Sequence, residues 1–359
     1  RGNKHRKPLI LQGARQVGKT YSILEFGRTH YENVAYFNFE TNPKLNETFE
    51  ENISPYYLIP ILSHIAGQTI VKEKTLIVFD EVQLCERALT SLKYFCEDAP
   101  DYHIIVAGSL LGVAVNRARF SFPVGKVDMK TLYPMDMEEF MLALNEDDLV
   151  EQIKKCFAAN TPLPSALHDA AMQLYRQYLV VGGMPECVLQ FAETKDYILV
   201  RHTQDTILAS YLNDMSKYNN LNEIKKTRLA YDNITVQLSK KNTRFQYKLV
   251  KKGGRASEFE NAIEWLCLSG IVSQVYKVEQ IKKSLENYRD ILYMVDEIDD
   301  FKGGMTENYV NVQLSINGYR TYYWMSERGA EIDFIIQRDG QLIPIEVKSA
   351  DNTRAKSLK

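Results

Sequence analysis

Four short apolar runs, at residues 8–12, 34–39, 75–79 and 103–107, lie in the first third of this 359-residue chain. Each run is continuous rather than alternating, which is the pattern of strands that are buried on both faces of a parallel sheet. Helix-prone segments separate the runs, as βαβ units require. The pattern therefore predicts an α/β domain with a parallel sheet that ends near Asp148.

The first apolar run leads into a loop that matches the pattern G-x-x-x-x-G-K-[ST]. Its residues are Gly13, Ala14, Arg15, Gln16, Val17, Gly18, Lys19 and Thr20. The glycines let backbone N–H groups surround phosphate oxygens, and the helix that follows aims its N-terminus at the anion. Lys19 is expected to reach the β- and γ-phosphates, and the Thr20 hydroxyl to ligate Mg²⁺. The loop thus predicts a site for ATP and Mg²⁺.

Polar residues that follow the later runs are candidates for the chemistry. Asp80 and Glu81 come directly after the third run, so we expect Asp80 to orient the Mg²⁺ shell and Glu81 to act as general base. The alternative is a pair that caps a helix. Ser109 follows the fourth run and can bond the γ-phosphate or the water, or simply form a turn. Arg117 and Arg119 are candidate arginine fingers of a homo-oligomer, or else solvated side chains.

These motifs together resemble a known family. The matching segments are 13–20, 79–83, 108–109, 132–135 with 138–140, and 182–186. They are similar to prokaryotic AAA+-type ATPases that carry a C-terminal domain of unclear function, and the resemblance covers essentially the whole chain. It implies an ATPase core, a helical lid, a winged-helix-like module and a restriction-endonuclease-like end domain, with Ser109 as the sensor of the γ-phosphate. Lys126 stands where family members commonly have arginine, and the stretch 295–304 is shorter than the family pattern.

Four domains are expected along the chain. Residues 1–148 form the P-loop ATPase domain, and residues 149–215, which lack strand-like runs, form the helical lid. Residues 216–290 mix helices with β-prone pieces, at 245–250 and 271–276, and form the winged-helix-like basic domain. Residues 291–359 form a small α/β endonuclease-like domain. That last domain is expected to be incomplete, because the sequence stops at Lys359.

The net charge of −2 conceals a strong asymmetry. Residues 216–290 hold 15 basic and 8 acidic side chains, whereas residues 146–215 hold 5 and 10. The candidate DNA contacts are the basic residues within 240–255: Lys240, Lys241, Arg244, Lys248, Lys251, Lys252 and Arg255. They predict salt-sensitive DNA binding of low specificity. The alternative is a solvated basic face that packs on the acidic segment.

A hairpin near the C-terminus brings further carboxylates together. Asp339-Gly340 is the turn between strands at 331–336 and 343–348. Asp333 and Glu346 then face each other across the strands, with Lys348 on the same face as Glu346. Glu307, on the preceding helix, is expected to add a third carboxylate to a divalent-cation site. This ordered set resembles PD-(D/E)-x-K nucleases. The alternative is a salt-bridged hairpin in an inactive nuclease-like fold.

Several classes of protein are disfavoured by the sequence. The five cysteines are widely spaced without a C-x-x-C pair, and the histidines show no H-x-x-x-H spacing, so reduced thiols are expected rather than a disulfide framework or a zinc site. No run reaches the 18 apolar residues of a membrane helix. No signal peptide is visible, although the chain begins at Arg1 and residues before it are expected. A cytoplasmic protein is the resulting expectation.

The leading hypothesis is a Mg²⁺-dependent ATPase whose nucleotide state controls a DNA-facing C-terminal module. Two alternatives remain open from the sequence. One is an ATP-dependent switch that recruits a protein partner and carries a silent nuclease-like domain. The other is a DNA nuclease that ATP licenses.

Overall fold

The structure is a computed structural model that describes residues 6–108, 122–217, 221–238, 245–278, 292–293, 301–326 and 331–348. The chain forms two compact units. The first comprises residues 1–134 with 268–270, and the second comprises residues 135–267 with 271–359. The first unit therefore ends before the predicted boundary near Asp148.

A five-stranded parallel sheet organises the first unit. Its strands are β1 (Leu9–Gln12), β2 (Asn33–Asn38), β3 (Thr75–Asp80), β4 (His103–Gly108) and β5 (Asp128–Thr131), in the order β2-β3-β4-β1-β5. The parallel α/β sheet predicted from the apolar runs is confirmed. No apolar run marks β5, because all four of its residues are exposed at the edge of the sheet.

Helices cover both faces of this sheet, as continuous apolar strands require. They are α1 (Lys19–His30), α2 (Lys44–Glu51), α3 (Pro55–Ala66) and α4 (Glu86–Asp98), with a short 3₁₀ turn at Val82–Leu84. On one face Ile23 of α1 packs with Val78 and Ile105. On the other face a larger core includes Phe37 and Phe79. The two cores fix the strand ends from which the polar loops emerge.

Helices make up most of the described residues between Pro134 and Ser269. Its helices are α5 (Met137–Ala143), α6 (Asp147–Ala159), α7 (Ser165–Val181), α8 (Pro185–Thr194), α9 (Tyr197–Lys217), α10 (Leu221–Leu238), α11 (Tyr247–Val250) and α12 (Ala256–Leu268). Asp136 and Glu139 form a capping box that starts α5. Phe140, Tyr178 and Phe191 belong to one core, so α5, α7 and α8 pack together.

The β-prone segment 245–250 forms the single helical turn α11 instead of a strand. A side chain on α10 contacts the residue that precedes this turn. The Gln237 carbonyl oxygen accepts the backbone N–H of Gln246 at 2.7 Å, and its amide donates to the Gln246 carbonyl at 3.2 Å. Both backbone groups of Gln246, which has an extended conformation, are thereby satisfied.

A second five-stranded sheet lies in the second unit, together with α13 (Phe301–Ile316). Its strands are β6 (Val275–Lys277), β7 (Leu292–Tyr293), β8 (Tyr322–Met325), β9 (Glu331–Arg338) and β10 (Gln341–Ile345), in the order β10-β9-β8-β6-β7. β6 was expected within a winged-helix-like module, but it pairs in parallel with β8. Among the described residues, the sheet therefore draws strands from both sides of the predicted boundary at 290/291.

Candidate nucleotide site

The phosphate loop connects β1 to α1, as the motif requires. Gly13 has φ +148°, and a Cβ there would lie 2.1 Å from the backbone oxygen of Leu132. Gly18 precedes the helix with φ 91°. A side chain at either position would be strained or would collide with backbone. The two glycines of the motif are therefore required by the local fold, independently of any ligand.

Lys19 is folded back onto its own loop. Its ammonium is buried and donates to the backbone oxygens of Gly13 at 3.0 Å and Ala14 at 2.7 Å. Burial lowers the pKa of Lys19 to about 8, while the charges of Glu81 and Asp80 oppose that decrease. The ammonium thus lies inside the loop that would surround a phosphate, held by carbonyl groups that an anion can replace.

Asp80 ends β3 and is the centre of a hydrogen-bond network. Its Oδ2 atom accepts the Thr20 hydroxyl at 2.8 Å and the Tyr36 hydroxyl at 2.7 Å, and its Oδ1 atom accepts the Glu81 N–H at 3.0 Å. The residue is only 4% exposed. Burial raises the pKa of Tyr36 to about 12, so its phenol stays protonated near neutral pH and donates to Asp80. Three donors therefore fix the orientation of this carboxylate.

Glu81 adopts an unusual backbone conformation beside this network. Its φ of 52° lies in the left-handed region, which is uncommon for a residue with a side chain and is often found at functional sites. The Gln83 amide donates to Glu81 Oε2. Burial raises the pKa of Glu81, and the bond from Gln83 and the charge of Lys19 lower it. A carboxylate with a raised pKa, next to a phosphate loop, suits a general base.

The donor set of this site fits Mg²⁺. The Thr20 hydroxyl and the Asp80 carboxylate are hard oxygen ligands, and the two groups are already in contact. Mg²⁺ keeps several waters and binds proteins through one or two such groups together with substrate phosphates. Thr20 would hold the cation and Asp80 would orient its shell.

Three predicted residues near this site lie outside the described residues: Ser109, Arg117 and Arg119. The strand before Ser109 is described, and Gly108 at its end pairs in register with Gln12 at the end of β1. Lys126, the residue that stands where the resembling family has arginine, forms an ion pair with Glu97 at 2.8 Å. Its ammonium therefore has a partner on its own chain.

The predicted DNA contacts are described only in part. Lys240, Lys241 and Arg244 lie outside the described residues, whereas Lys248, Lys251, Lys252 and Arg255 are all exposed. Lys251 forms an ion pair with Glu258 at 2.6 Å, which offsets part of its charge. The described basic residues lie on α11 and on the loop that leads to α12, rather than on the wing that the sequence predicted.

The C-terminal hairpin has the register predicted from its turn. Asp339 and Gly340 both have positive φ, as a two-residue turn requires. Phe334 pairs with Ile345, which places Asp333 opposite Glu346 one step further on. Asp333 Oδ2 accepts the backbone N–H of Val347 at 2.6 Å.

Lys348 completes this cluster, but Glu307 does not. The Lys348 ammonium donates to Glu346 Oε1 at 2.6 Å, and this bond, with the charges of Asp333 and Glu331, raises the pKa of Lys348. The other oxygen of Glu346 is buried without a hydrogen-bond partner. Within the described ranges, no three His, Cys, Asp or Glu side chains are grouped to hold a metal ion. The expected convergence of Glu307 with the hairpin pair is therefore not seen.

Two further motif segments prove to be structural partners. The Met135 N–H donates to the Gly183 oxygen at 2.7 Å, and the Tyr178 hydroxyl donates to the Met135 oxygen at 2.8 Å. A Cβ at Gly183 would lie 2.0 Å from that Met135 oxygen. Met135 and Gly183, one residue from each segment, therefore meet through a close backbone approach that only glycine permits.

Sequence reasoning missed three polar side chains of the nucleotide site: Tyr36, Asn38 and Gln83. Tyr36 and Asn38 occupy alternate positions at the end of an apolar run, and that interruption was the available signal. Gln83 follows Glu81 by two residues and had no distinct signal.

Comparisons with known proteins agree with this geometry. Residues 5–141 match a family described as an AAA domain. Residues 172–297 and 302–359 match two families described as domains of unknown function, DUF8612 and DUF4143. No curated protein matches the chain. No helix among the described residues has the length and apolar character needed to cross a membrane.

Several solved structures are similar to the chain at low identity. A Walker-type ATPase of Pyrococcus abyssi is 13% identical with a TM-score of 0.45, over 81% of this chain and 89% of that one. The ORC2 protein of Aeropyrum pernix is 10% identical with a TM-score of 0.41, over 86% and 89%. The RuvB branch-migration motor of Thermotoga maritima is 12% identical with a TM-score of 0.31, over 76% and 83%. In its family match and in the geometry of its site, the segment 5–141 is therefore similar to an AAA-type, P-loop ATPase domain.

Proposed function

We propose that this protein is a Mg²⁺-dependent ATPase. The observation that carries the proposal is the 2.8 Å hydrogen bond between the Thr20 hydroxyl and Asp80. It joins the end of the phosphate loop to a carboxylate 60 residues further along the chain. A glycine-rich surface loop without a ligand has no need of such a partner, whereas a Mg²⁺–nucleotide site requires both groups.

Each residue of the site has a separate role in the proposed reaction. The loop N–H groups and the Lys19 ammonium bind the phosphates, and Lys19 exchanges the loop carbonyls for phosphate oxygens as it does so. Glu81 accepts the proton of the attacking water, which its raised pKa favours. Mg²⁺, when bound, neutralises charge on the phosphate oxygens. We assign Ser109 to sensing the γ-phosphate and Arg117 or Arg119 to a neighbouring subunit's nucleotide in a homo-oligomer.

Binding of a fluorescent ATP analogue to the purified protein tests the first step. Lys19→Ala should abolish binding, because it removes the cation that contacts the phosphates. Lys44→Ala is the matched control, since Lys44 is an exposed lysine at the start of α2 and should leave the affinity unchanged. Equal affinity of Lys19→Ala and the wild type would refute the proposal.

The finer part of the proposal is that the nucleotide state controls a DNA-facing C-terminal module in the cytoplasm. It is supported by the excess of basic residues at 216–290 and by the exposure of four proposed DNA contacts, Lys248, Lys251, Lys252 and Arg255. Phosphate release should then change when DNA is added. If DNA has no effect on turnover and does not bind, the remaining reading is a switch that recruits a protein partner.

A second candidate function, DNA cleavage, is supported by one specific observation. The side chain of Glu346 is 7% exposed, and one of its oxygens has no hydrogen-bond partner. Asp333 lies opposite Glu346, and the Lys348 ammonium donates a hydrogen bond to it. A buried, unpaired carboxylate oxygen is costly unless a proton or a cation satisfies it. Nicking of plasmid DNA in Mg²⁺ or Mn²⁺, lost in Lys348→Ala, would support a nuclease. Absence of nicking under all conditions would leave the hairpin as a structural element.

A further inference from the structure

The carboxyl end of β2 presents two polar side chains beside Asp80. Tyr36 and Asn38 are two residues apart and therefore share one face of the sheet. Asn38 pairs in register with Asp80, and the Tyr36 hydroxyl donates to Asp80 Oδ2 at 2.7 Å. The same oxygen accepts the Thr20 hydroxyl. The carboxylate of the nucleotide site thus has a second side-chain donor, from a strand that the phosphate-loop motif does not include.

The orientation of the Asn38 amide is fixed by the backbone. Its Oδ1 atom accepts the N–H groups of Glu40 at 2.8 Å and Thr41 at 3.0 Å. Because the oxygen is used there, the NH₂ group is the one that lies 3.3 Å from the Tyr36 hydroxyl oxygen. The phenol oxygen therefore accepts from Asn38, and its single proton is directed to Asp80. The two hydrogen bonds therefore run in one direction: Asn38 donates to Tyr36, and Tyr36 donates to Asp80.

We infer that Tyr36 is a positioning residue for the Mg²⁺ that accompanies ATP, and that Asn38 holds its hydroxyl in the donating orientation. The inference rests on the proposed ATPase function. Without the Tyr36 hydroxyl, Thr20 is the one side chain among the described residues with a hydrogen bond to Asp80 Oδ2. Groups that orient a metal's carboxylate partner typically change metal affinity by about 10- to 100-fold when they are removed.

ATP affinity measured in Mg²⁺ and again in EDTA tests this role without recourse to turnover. Tyr36→Phe removes the hydroxyl and keeps the ring. It should weaken binding of the fluorescent ATP analogue about tenfold in Mg²⁺ and leave the affinity in EDTA unchanged. Tyr56→Phe is the control, because the Tyr56 phenol is 71% exposed and donates to the Asp98 backbone oxygen. It should match the wild type under both conditions, and both variants should show a single cooperative melting transition without nucleotide.

The outcomes separate the inference from the function on which it rests. A wild-type protein that fails to bind ATP in Mg²⁺ would refute the proposed function, and the inference with it. If the wild type binds and Mg²⁺ strengthens ATP binding equally in Tyr36→Phe, the function stands and the inference is overturned. Equal weakening of Tyr36→Phe in Mg²⁺ and EDTA would also overturn it, since Tyr36 would then act on the nucleotide rather than on the metal. If Mg²⁺ does not change the affinity of the wild type for ATP, the inference is likewise overturned.

Discussion

The buried ammonium of Lys19 should make ATP binding depend on pH. Burial lowers its pKa from 10.5 to about 8, against the opposing charges of Glu81 and Asp80. That decrease means that the empty loop destabilises the charged form of Lys19 by about 3 kcal/mol relative to the neutral form. A bound phosphate stabilises the ammonium and raises its pKa again, so binding selects the protonated form.

The difference between the pKa of Lys19 in the empty loop and in the complex sets how the ATP affinity changes with pH. Below pH 8 most of Lys19 is already protonated, so the affinity should be nearly constant. Above pH 8 the proton must be taken up on binding, and the affinity should weaken as the pH rises. Between pH 7.5 and pH 9.5 the protonated fraction falls about 25-fold for a pKa of about 8, and Kd should rise by the same factor. The γ-phosphate loses its last proton near pH 6 and keeps its charge over this range.

Titration of a fluorescent ATP analogue at several pH values and constant ionic strength measures this directly. Lys19→Arg is the matched control, because a guanidinium stays charged throughout the range. Its affinity is expected to be weaker than that of the wild type but independent of pH. A wild-type Kd that stays constant from pH 7.5 to 9.5, or an equal rise in Lys19→Arg, would refute the argument.

Gly183→Ala would place a Cβ 2.0 Å from the Met135 oxygen and should lower the free energy of unfolding, measured by calorimetry, by about 3 kcal/mol. In the control Gly318→Ala the Cβ meets no atom within 4 Å, and the free energy of unfolding should fall by about 1 kcal/mol. Mn²⁺ should raise the melting temperature if the hairpin carboxylates bind it, and Asp333→Ala should abolish that rise; an equal rise in the variant would exclude the site. DNA affinity should fall steeply with salt, and Lys252→Glu should reduce the slope. An affinity that salt does not change would argue against phosphate contacts.

The parts of the site that depend on local sequence could be predicted. The phosphate loop is eight consecutive residues between a strand and a helix, so Gly13, Lys19 and Thr20 lie where the motif predicts. Asp80 was placed by the rule that parallel strands end at one edge of their sheet. The hairpin register followed from a two-residue turn at Asp339. In each case a short segment determines the geometry.

Long-range pairing could not be predicted in the same way. The Tyr36–Asp80 bond joins positions 44 residues apart, and it depends on the pairing of β2 with β3. The strand-like run at 271–276 predicted β6, but a single run does not specify which sheet it joins, and its partner is β8. The segment 245–250 has β propensity, yet its residues 247–250 form the helical turn α11.

The central claim is that Glu81 activates water for ATP hydrolysis at this site. Phosphate release under single-turnover conditions, with the fraction of bound ATP measured in parallel, tests it most directly. Glu81→Gln should bind ATP as the wild type does and release phosphate at least about 100-fold more slowly. Glu47→Gln, at an exposed position on α2, should release phosphate at the wild-type rate. Release at the wild-type rate by Glu81→Gln, with ATP bound, would contradict the account.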